Sequence, residues 1–383
     1  MKKLIAYKYR LYPTKEQQIL LAKHFGAVRW IYNYALNKKI ELYKKEKKTL
    51  SRFDLSEILT GLKKQEETSW LSEVNSQSLQ FSLLNLDNAY NRFFKEKKGF
   101  PKFKSKRNKQ SVQFPQYSKV NFEDNTLYIM KFKEGIKCKF SRTFEGKIKT
   151  TTISKTPTNK YFAFILVEEI VPEVIKFPIQ KDKTVGIDLG IKSFLVTSNN
   201  EVFDNPKYYK QSLNKLKVEQ KKISRKKLGS NNRNKQRKIV AKLHEKITNQ
   251  REDFIHKVSR QLVNENQVTT YCFETLNIRG MMKNHHLAQA IGDTGWASFV
   301  NYLSYKADWM GKNIFKIGRF EPSSKTCNIC GNINQNLTLK DREWVCDCGA
   351  KLDRDFNAAC NIRDMGLKQI GLGKPELTLG EIG

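Results

Sequence analysis

Acidic residues are what this sequence is short of. Its 383 residues carry 71 Lys and Arg against 38 Asp and Glu, a net charge of +33. Solubility needs far less. A surplus of this size fits a polyphosphate backbone as partner, with a membrane surface as the weaker alternative. Long apolar runs are also missing. No stretch of roughly 18 apolar residues occurs, so nothing is expected to span a bilayer. The first residues, MKKLIAYKYRLYP, start basic but have neither a long apolar core nor a small-residue cleavage site, so no signal peptide is read. Cysteine is scarce and uneven. Of seven, Cys327, Cys330, Cys346 and Cys348 cluster while Cys138, Cys272 and Cys360 stand apart. That pattern excludes a disulfide framework and fits metal binding in a reducing compartment.

What is present suggests two or three domains. Residues 3–12 alternate up to Pro13 and read as one strand. From Thr14 to about Phe94 the pattern is helical, with Thr14, Glu16 and Gln17 as a capping region. Leu79, Leu83, Leu86, Tyr90 and Phe93 form one stripe, which leaves Gln77 and Gln80 off it and free to touch a partner. Then KEKKGFPKFKSKRNKQ (95–110) breaks the helix at Gly99 and Pro101. Lys102, Lys104, Lys106 and Arg107 interleave with Phe100 and Phe103, a pattern suited to phosphate contact and base stacking. Residues 111–180 change period. The segments VNFEDNTLYIMKF, KIKTTTISKT and KYFAFILVEEI read as strands of a small antiparallel barrel that the first strand joins.

The second half opens with KTVGIDLGIKSFLVTSNNEVF (183–203), a buried strand, a glycine turn and a hairpin. Residues 207–251 hold 16 Lys and Arg, with Glu219 and Glu245 as the only acids. Leu213, Leu216, Ile223, Ile239, Leu243 and Ile247 recur at helical spacing, so two helices joined near 228–232 are expected. A charge run is usually a solvated face. This one is so one-sided that Lys221, Lys222, Arg225 and Lys226 read as a phosphate-tracking face. VTTYCFETL (268–276) is a buried strand, DTGWASFVNYLSYKADWMG (293–311) an amphipathic helix, NIFKIGRF (313–320) a strand, and a short helix begins near Asn357.

Two constellations carry chemistry. Cys327-x-x-Cys330 and Cys346-x-Cys348 form a four-thiolate set, each pair followed by a glycine, Gly331 or Gly349. Four thiolates close a tetrahedron around zinc and leave no open position, so the site is structural. The second constellation is three acids: Asp188 ending VGIDLG, Glu274 ending TTYCFE, and Asp355 in DRDFNAA, where Asp353 competes as the third member. Carboxylates ending two apolar strands and starting a helix can converge, and the cluster then repels itself unless divalent cations fill it. Two magnesium or manganese ions about 3.5–4 Å apart would activate water and stabilise the leaving oxygen of a phosphodiester.

The chain resembles the TnpB family, RNA-guided DNA nucleases of bacterial and archaeal insertion sequences. More distantly it is similar to type V CRISPR effector nucleases and the eukaryotic Fanzor proteins. The motifs run in family order over almost the whole chain: YKYRLYPTKEQ, AVRWIYNYALN, LQFSLLNLDNAYNRFF, GFPKFKSKR, GIDLGIK, LHEKITNQREDFIHKVSR, ETLNIRGM, DTGWASFVNYLSYKADWMGK, PSSKTCNICG and DREWVCDCGAKLDRDFNAACNI. The resemblance implies Asp188, Glu274 and Asp355 as the carboxylates of a RuvC-like site on an RNase H fold, with Asp355 preferred over Asp353. It also implies a guide RNA from the transposon end, double-stranded target DNA with a short adjacent motif, and a cytoplasmic, nucleoid-associated setting.

The expected architecture is α/β with added domains. A β-barrel (1–14 and 108–180) holds a helical recognition insert (15–107). The nuclease (181–320 and 351–372) is interrupted by a zinc ribbon (321–350), and a tail (373–383) follows. Base pairing would read the sequence, while Gln77 and Gln80 are candidates for adenine in the adjacent motif. Two alternatives stay open: a non-cutting RNA-guided regulator, and a guide-free, structure-specific nuclease. No separate transposition constellation is evident.

Overall fold

The computed structural model describes residues 1–107, 109–318, 321–338 and 341–372. The expected tail (373–383) and the end of the strand expected at 313–320 lie outside the described residues. The chain divides between Pro172 and Glu173 into two compact units.

The first unit begins with β1 (Lys2–Tyr12), in which Tyr7, Tyr9 and Leu11 are buried at alternate positions. Thr14 then starts α1 (Lys15–Glu46). Its hydroxyl accepts from Gln17 N at 3.3 Å, and the Gln17 side chain accepts from Thr14 N at 3.1 Å, a reciprocal capping box. Helices α2 (Arg52–Leu62) and α3 (Ser76–Glu96) follow. Leu79, Leu83 and Leu86 of the expected stripe pack against Ile31, Leu36 and Leu59. Tyr90 lies at the edge of that core, and Phe93 meets Phe100 edge-on.

The rest of the unit is β2 (Gln110–Phe114), β3 (Lys119–Asn121), β4 (Thr126–Ile129), β5 (Phe132–Lys139), β6 (Lys147–Lys155) and β7 (Tyr161–Ile170). With β1 they form one antiparallel sheet, ordered β2-β6-β7-β1-β5-β4-β3. The sheet curls strongly. Phe114 on β2 and Phe132 on β5 are far apart in the strand order, yet their rings are 6.3 Å apart. The expected barrel is an open one, because among the described residues no ladder joins β2 to β3. Residues 120–132 are two strands and a turn rather than a single strand. Asn121 Oδ1 accepts from the amides of Glu123 and Asp124, and Asn125 takes φ +51°, which reverses the chain.

The second unit carries β8 (Thr184–Leu189), β9 (Ser193–Thr197), β10 (Val202–Asp204), α4 (Tyr208–Ser224), α5 (Asn231–Asn264) and β11 (Thr270–Glu274). Then come α6 (Ile278–Met281), α7 (His285–Thr294), α8 (Trp296–Trp309), β12 (Asn313–Ile317), β13 (Glu343–Val345), β14 (Lys351–Asp353) and α9 (Arg354–Gln369). The main sheet runs β10-β9-β8-β11-β12. β11 is parallel to both β8 and β12, whereas β8, β9 and β10 form an antiparallel meander. A third-second-first-fourth-fifth order with this polarity is an RNase H-like sheet.

Two helical expectations shift. The helix read over 293–311 starts only at Trp296, because Gly295 at φ +71° separates it from α7. Asp293 is instead buried, and it accepts from the Tyr209 and Lys210 amides at the start of α4. On α5 the inward residue is Val240, packed near Leu216 and Ile247, while Ile239 is exposed. The helix expected from Asn357 begins one turn earlier, at Arg354.

Candidate active site

Strand parity builds the site. Val185 and Ile187 of β8, with Tyr271 and Phe273 of β11, join the core formed with Phe299 and Leu303 of α8. The intervening residues therefore point to the opposite face, the one covered by α9. Gly186 shows how close that helix comes. A methyl group there would overlap the Ala359 carbonyl oxygen and stand 2.6 Å from Arg363 N. Likewise, a methyl on Gly366 would overlap Cys272 Sγ and lie 3.0 Å from its Cβ. Two residues beyond Gly186 is Asp188, and two beyond Cys272 is Glu274. Ile187 pairs with Phe273, so these two acids follow the last paired residues side by side, on the face of α9.

Asp355 lies in the first turn of α9, and Asp353 is that helix's N-cap, accepting from Phe356 N at 2.7 Å. The cap role falls to Asp353 and leaves Asp355 facing the strand ends. Burial, then the charges of Asp355 and Glu274, push the Asp188 pKa up to about 7. Burial also raises Glu274, and a hydrogen bond from the Ser323 hydroxyl pulls it back down. Arg342 Nη1 lies 3.3–3.4 Å from both oxygens of Asp355. The trio is looser than a preformed metal cage: its oxygens are not all within 4.8 Å of one another. Hard, mutually repelling oxygen donors suit a divalent cation.

The four thiols are tighter. Among the described residues they are the one group of three or more Cys, His, Asp or Glu side chains whose ligand atoms all lie within 4.8 Å of one another. Cys327 Sγ is 3.9 Å from Cys348 Sγ, and Cys330 Sγ is 3.5 Å from Cys346 Sγ. The edge of a tetrahedron with Zn–S bonds of ~2.3 Å is about 3.8 Å, so the set could hold zinc without rearrangement. Gly331 and Gly349 adopt φ +81° and +85°. Their amides donate to the Cys327 and Cys346 carbonyls, at 2.8 Å each, which closes both knuckles. The β13–β14 hairpin continues the second knuckle, and Trp344 and Leu352 line its small core with Leu337. The expected ribbon boundary at 350 falls inside this hairpin, whose last residue, Asp353, already caps α9.

A relative from Streptomyces pristinaespiralis, provisionally named an RNA-guided DNA endonuclease, is 39% identical over 371 residues, covering 96% of this chain and 90% of that protein. The chain belongs to the TnpB family. An Escherichia coli K12 relative with a similar provisional name, InsQ, is 28% identical, covering 98% of this chain and 95% of that one. Three family models match in succession. Residues 165–285 match the insertion-sequence OrfB family described as "Probable transposase", residues 1–48 its helix-turn-helix domain, and residues 296–362 the TNB domain of Cas12f1-like proteins. A Cas12f1 chain, solved with single guide RNA and target DNA, shares the fold. Its TM-score is 0.56 at 14% identity, with 95% of this chain and 98% of that one covered. In this TnpB-family chain the region matched as helix-turn-helix is a strand and one unbroken 32-residue helix.

The expected nucleic-acid residues are scattered by comparison. Gln80 is exposed, but Gln77 is not free: its amide donates to Gln116 Oε1 at 2.7 Å, because the start of α3 lies against the chain after β2. Lys102, Lys106 and Arg107 are exposed. Lys104 is exposed too, but it also acts as an anchor. Its ammonium sits 3.7 Å from the centre of the Tyr32 ring, desolvation lowers its pKa, and its backbone N and O both bond Asn33, each at 2.8 Å. Lys221 and Arg225 face solvent, Lys222 pairs with Glu219 at 2.7 Å, and Lys226 turns toward Gln236. No helix among the described residues is long and apolar enough to cross a membrane.

Sequence reasoning missed Arg342, Ser323, Asn357 and Asn361. The asparagines did leave a signal. They stand four apart, on one face of a helix whose neighbouring Ala358, Ala359 and Ile362 are buried as well, and a buried amide there needs partners.

Proposed function

We propose that this chain is an RNA-guided DNA endonuclease of a transposable element, cutting beside a short target-adjacent motif with a guide RNA from the transposon end. One observation carries the chemistry: three acids from remote parts of the chain converge, and two of them help hold the third near neutrality. The names of the Streptomyces and Escherichia coli relatives, and the guide RNA and target DNA bound in the Cas12f1 structure, support the same reading.

In this reading Asp188, Glu274 and Asp355 hold magnesium or manganese, and Cys327, Cys330, Cys346 and Cys348 hold zinc. Divalent ions at the carboxylates would supply an activated water and charge stabilisation at the leaving oxygen. The protein's part is to place the acids, leave α9's cap to Asp353, and balance Asp355 with Arg342. The surface charge of +33 grips the phosphate backbones while pairing reads the sequence. Residues 1–14 and 108–180, with the 15–107 insert, serve as the recognition half. Gln80, Lys102, Lys106 and Arg107 are its most available contacts, and Lys221 and Arg225, at the end of α4, are those of the nuclease half.

The test expresses the chain with its flanking transposon end. The co-purified RNA is sequenced, and the complex is challenged with a target library in magnesium. Cleavage at sites matching that RNA is expected. Cutting without a defined RNA would mean a guide-free nuclease, and matched binding without cutting would mean a regulator.

A further inference from the structure

The loop between β12 and the first zinc knuckle touches both chemistries. Ser323 is 3% exposed, and its hydroxyl donates to Glu274 Oε1. Its carbonyl accepts from Asn361 Nδ2 at 2.7 Å. The same Nδ2 reaches the Thr326 carbonyl at 2.6 Å, and Asn357 Nδ2 reaches that carbonyl at 2.7 Å. On the other side of Cys327, Asn328 N donates to Asn357 Oδ1 at 2.9 Å, and Asn328 Nδ2 donates to Asn361 Oδ1 at 3.1 Å. Asn357 and Asn361 are 2% and 4% exposed, and both use their oxygen and nitrogen ends.

The geometry points to Ser323 as a positioning residue for Glu274, locked by Asn357 and Asn361 to the helix that carries Asp355. Glu274 ends its strand on a long side chain with several rotamers. The Ser323 hydroxyl engages Oε1 and leaves Oε2 for a cation. Ser323 cannot drift, since Asn361 holds its backbone. Asn357 and Asn361 stand about one and two turns from the start of α9, so the spacing between Glu274 and Asp355 is set through one short loop. Cys327 lies inside that loop, so the same segment supplies the first thiol of the ribbon. An outer residue that orients a ligating carboxylate typically governs metal affinity about 10–100-fold.

This inference rests on the carboxylates binding a divalent cation, and the test separates the two ideas. Free manganese is followed by its paramagnetic resonance as it is titrated into the guide-bound complex. The Glu274→Ala complex serves as the blank for ions held by RNA. Ser323→Ala removes one oxygen atom and touches no thiol. It is expected to keep wild-type zinc and guide RNA while binding manganese about 10-fold more weakly. The magnesium demand of cleavage should rise by the same factor, and Ser323→Thr, which retains the hydroxyl, should recover most of it. Asn361→Ala should weaken manganese in the same direction without altering any acid. If Ser323→Ala binds manganese as wild type does, the positioning role is overturned, whatever its cleavage rate. If the Glu274→Ala blank itself matches wild type, the carboxylate reading fails first, and the inference with it.

Discussion

The thiolate and carboxylate sites adjoin each other in the chain yet are made in opposite ways. The thiols are local. Two short knuckles, each closed by one glycine amide, bring four sulfurs together from residues 327–348. The acids are remote, at positions 188, 274 and 355, and meet only after β8 and β11 pair and α9 crosses them. A local site is preorganised by turn chemistry. A remote one inherits its precision from register and packing, and its charges oppose assembly. That is why the remote site needs anchoring and why the ribbon lies next to it.

The strongest way to break the comparison is to delete an acid. Asp188→Ala, Glu274→Ala and Asp355→Ala should each reduce cleavage by more than the 10–100-fold typical of outer partners, with guide RNA and target binding retained. Asp353→Ala should keep cutting and lose only cap stability, about 0.5–2 kcal/mol. Single-turnover cleavage and thermal melting measure both. A dead Asp353→Ala beside an active Asp355→Ala would reverse the assignment.

Next in size is loss of the thiolate site. A structural zinc contributes about 10–16 kcal/mol of local order in zinc-finger peptides. Cys346→Ser should release the metal, loosen the hairpin that ends in α9's cap, and slow cleavage even in excess magnesium. The first 172 residues should stay folded and RNA-bound. Elemental analysis beside a cleavage time course decides it. Wild-type cutting by a zinc-free variant would mean that the sheet alone assembles the acids.

Gly186→Ala tests the other support. The added methyl meets the backbone of α9 rather than a flexible side chain. Overpacking of this kind costs about 1–3 kcal/mol, and here it should push α9, and Asp355 with it, away from β8. Slower cleavage with zinc content unchanged is expected. Unchanged kinetics would show that α9 has slack.

The same contrast explains what was legible in the sequence. The cysteine knuckles could be read because spacing and glycines encode them locally. The strands ending in Asp188 and Glu274 could be read because their apolar interiors make a terminal acid conspicuous. The RNase H-like placement of the acids rested on family resemblance, since no local pattern states which strands pair. Ser323 was invisible because its partner is 49 residues away. Gln77 was misread as free because Gln116 belongs to a turn 39 residues on. The helix expected over 293–311 ran through Gly295 because periodicity does not report the left-handed residue that splits it.

The smallest expected effect sharpens the comparison by pH. Asp188 has its pKa pushed up to about 7 by burial and by its acidic neighbours, above the ordinary carboxylate value. The folded state therefore holds this proton more tightly than the unfolded chain does. The stability it contributes is fully present below the unfolded pKa and is lost as pH rises through about 7. In magnesium-free buffer with zinc retained, the melting temperature should fall between pH 5.5 and 8 by more in the wild type than in Asp188→Asn, whose amide does not titrate. The difference should be on the order of a few degrees for a unit of this size. Adding magnesium at pH 8 should recover the wild type and leave the variant behind. The thiolates respond in the opposite direction, since acid protonates them and releases zinc. Equal pH slopes in wild type and variant would mean that Asp188 is not strained by its neighbours, and the two sites would then differ in metal preference alone.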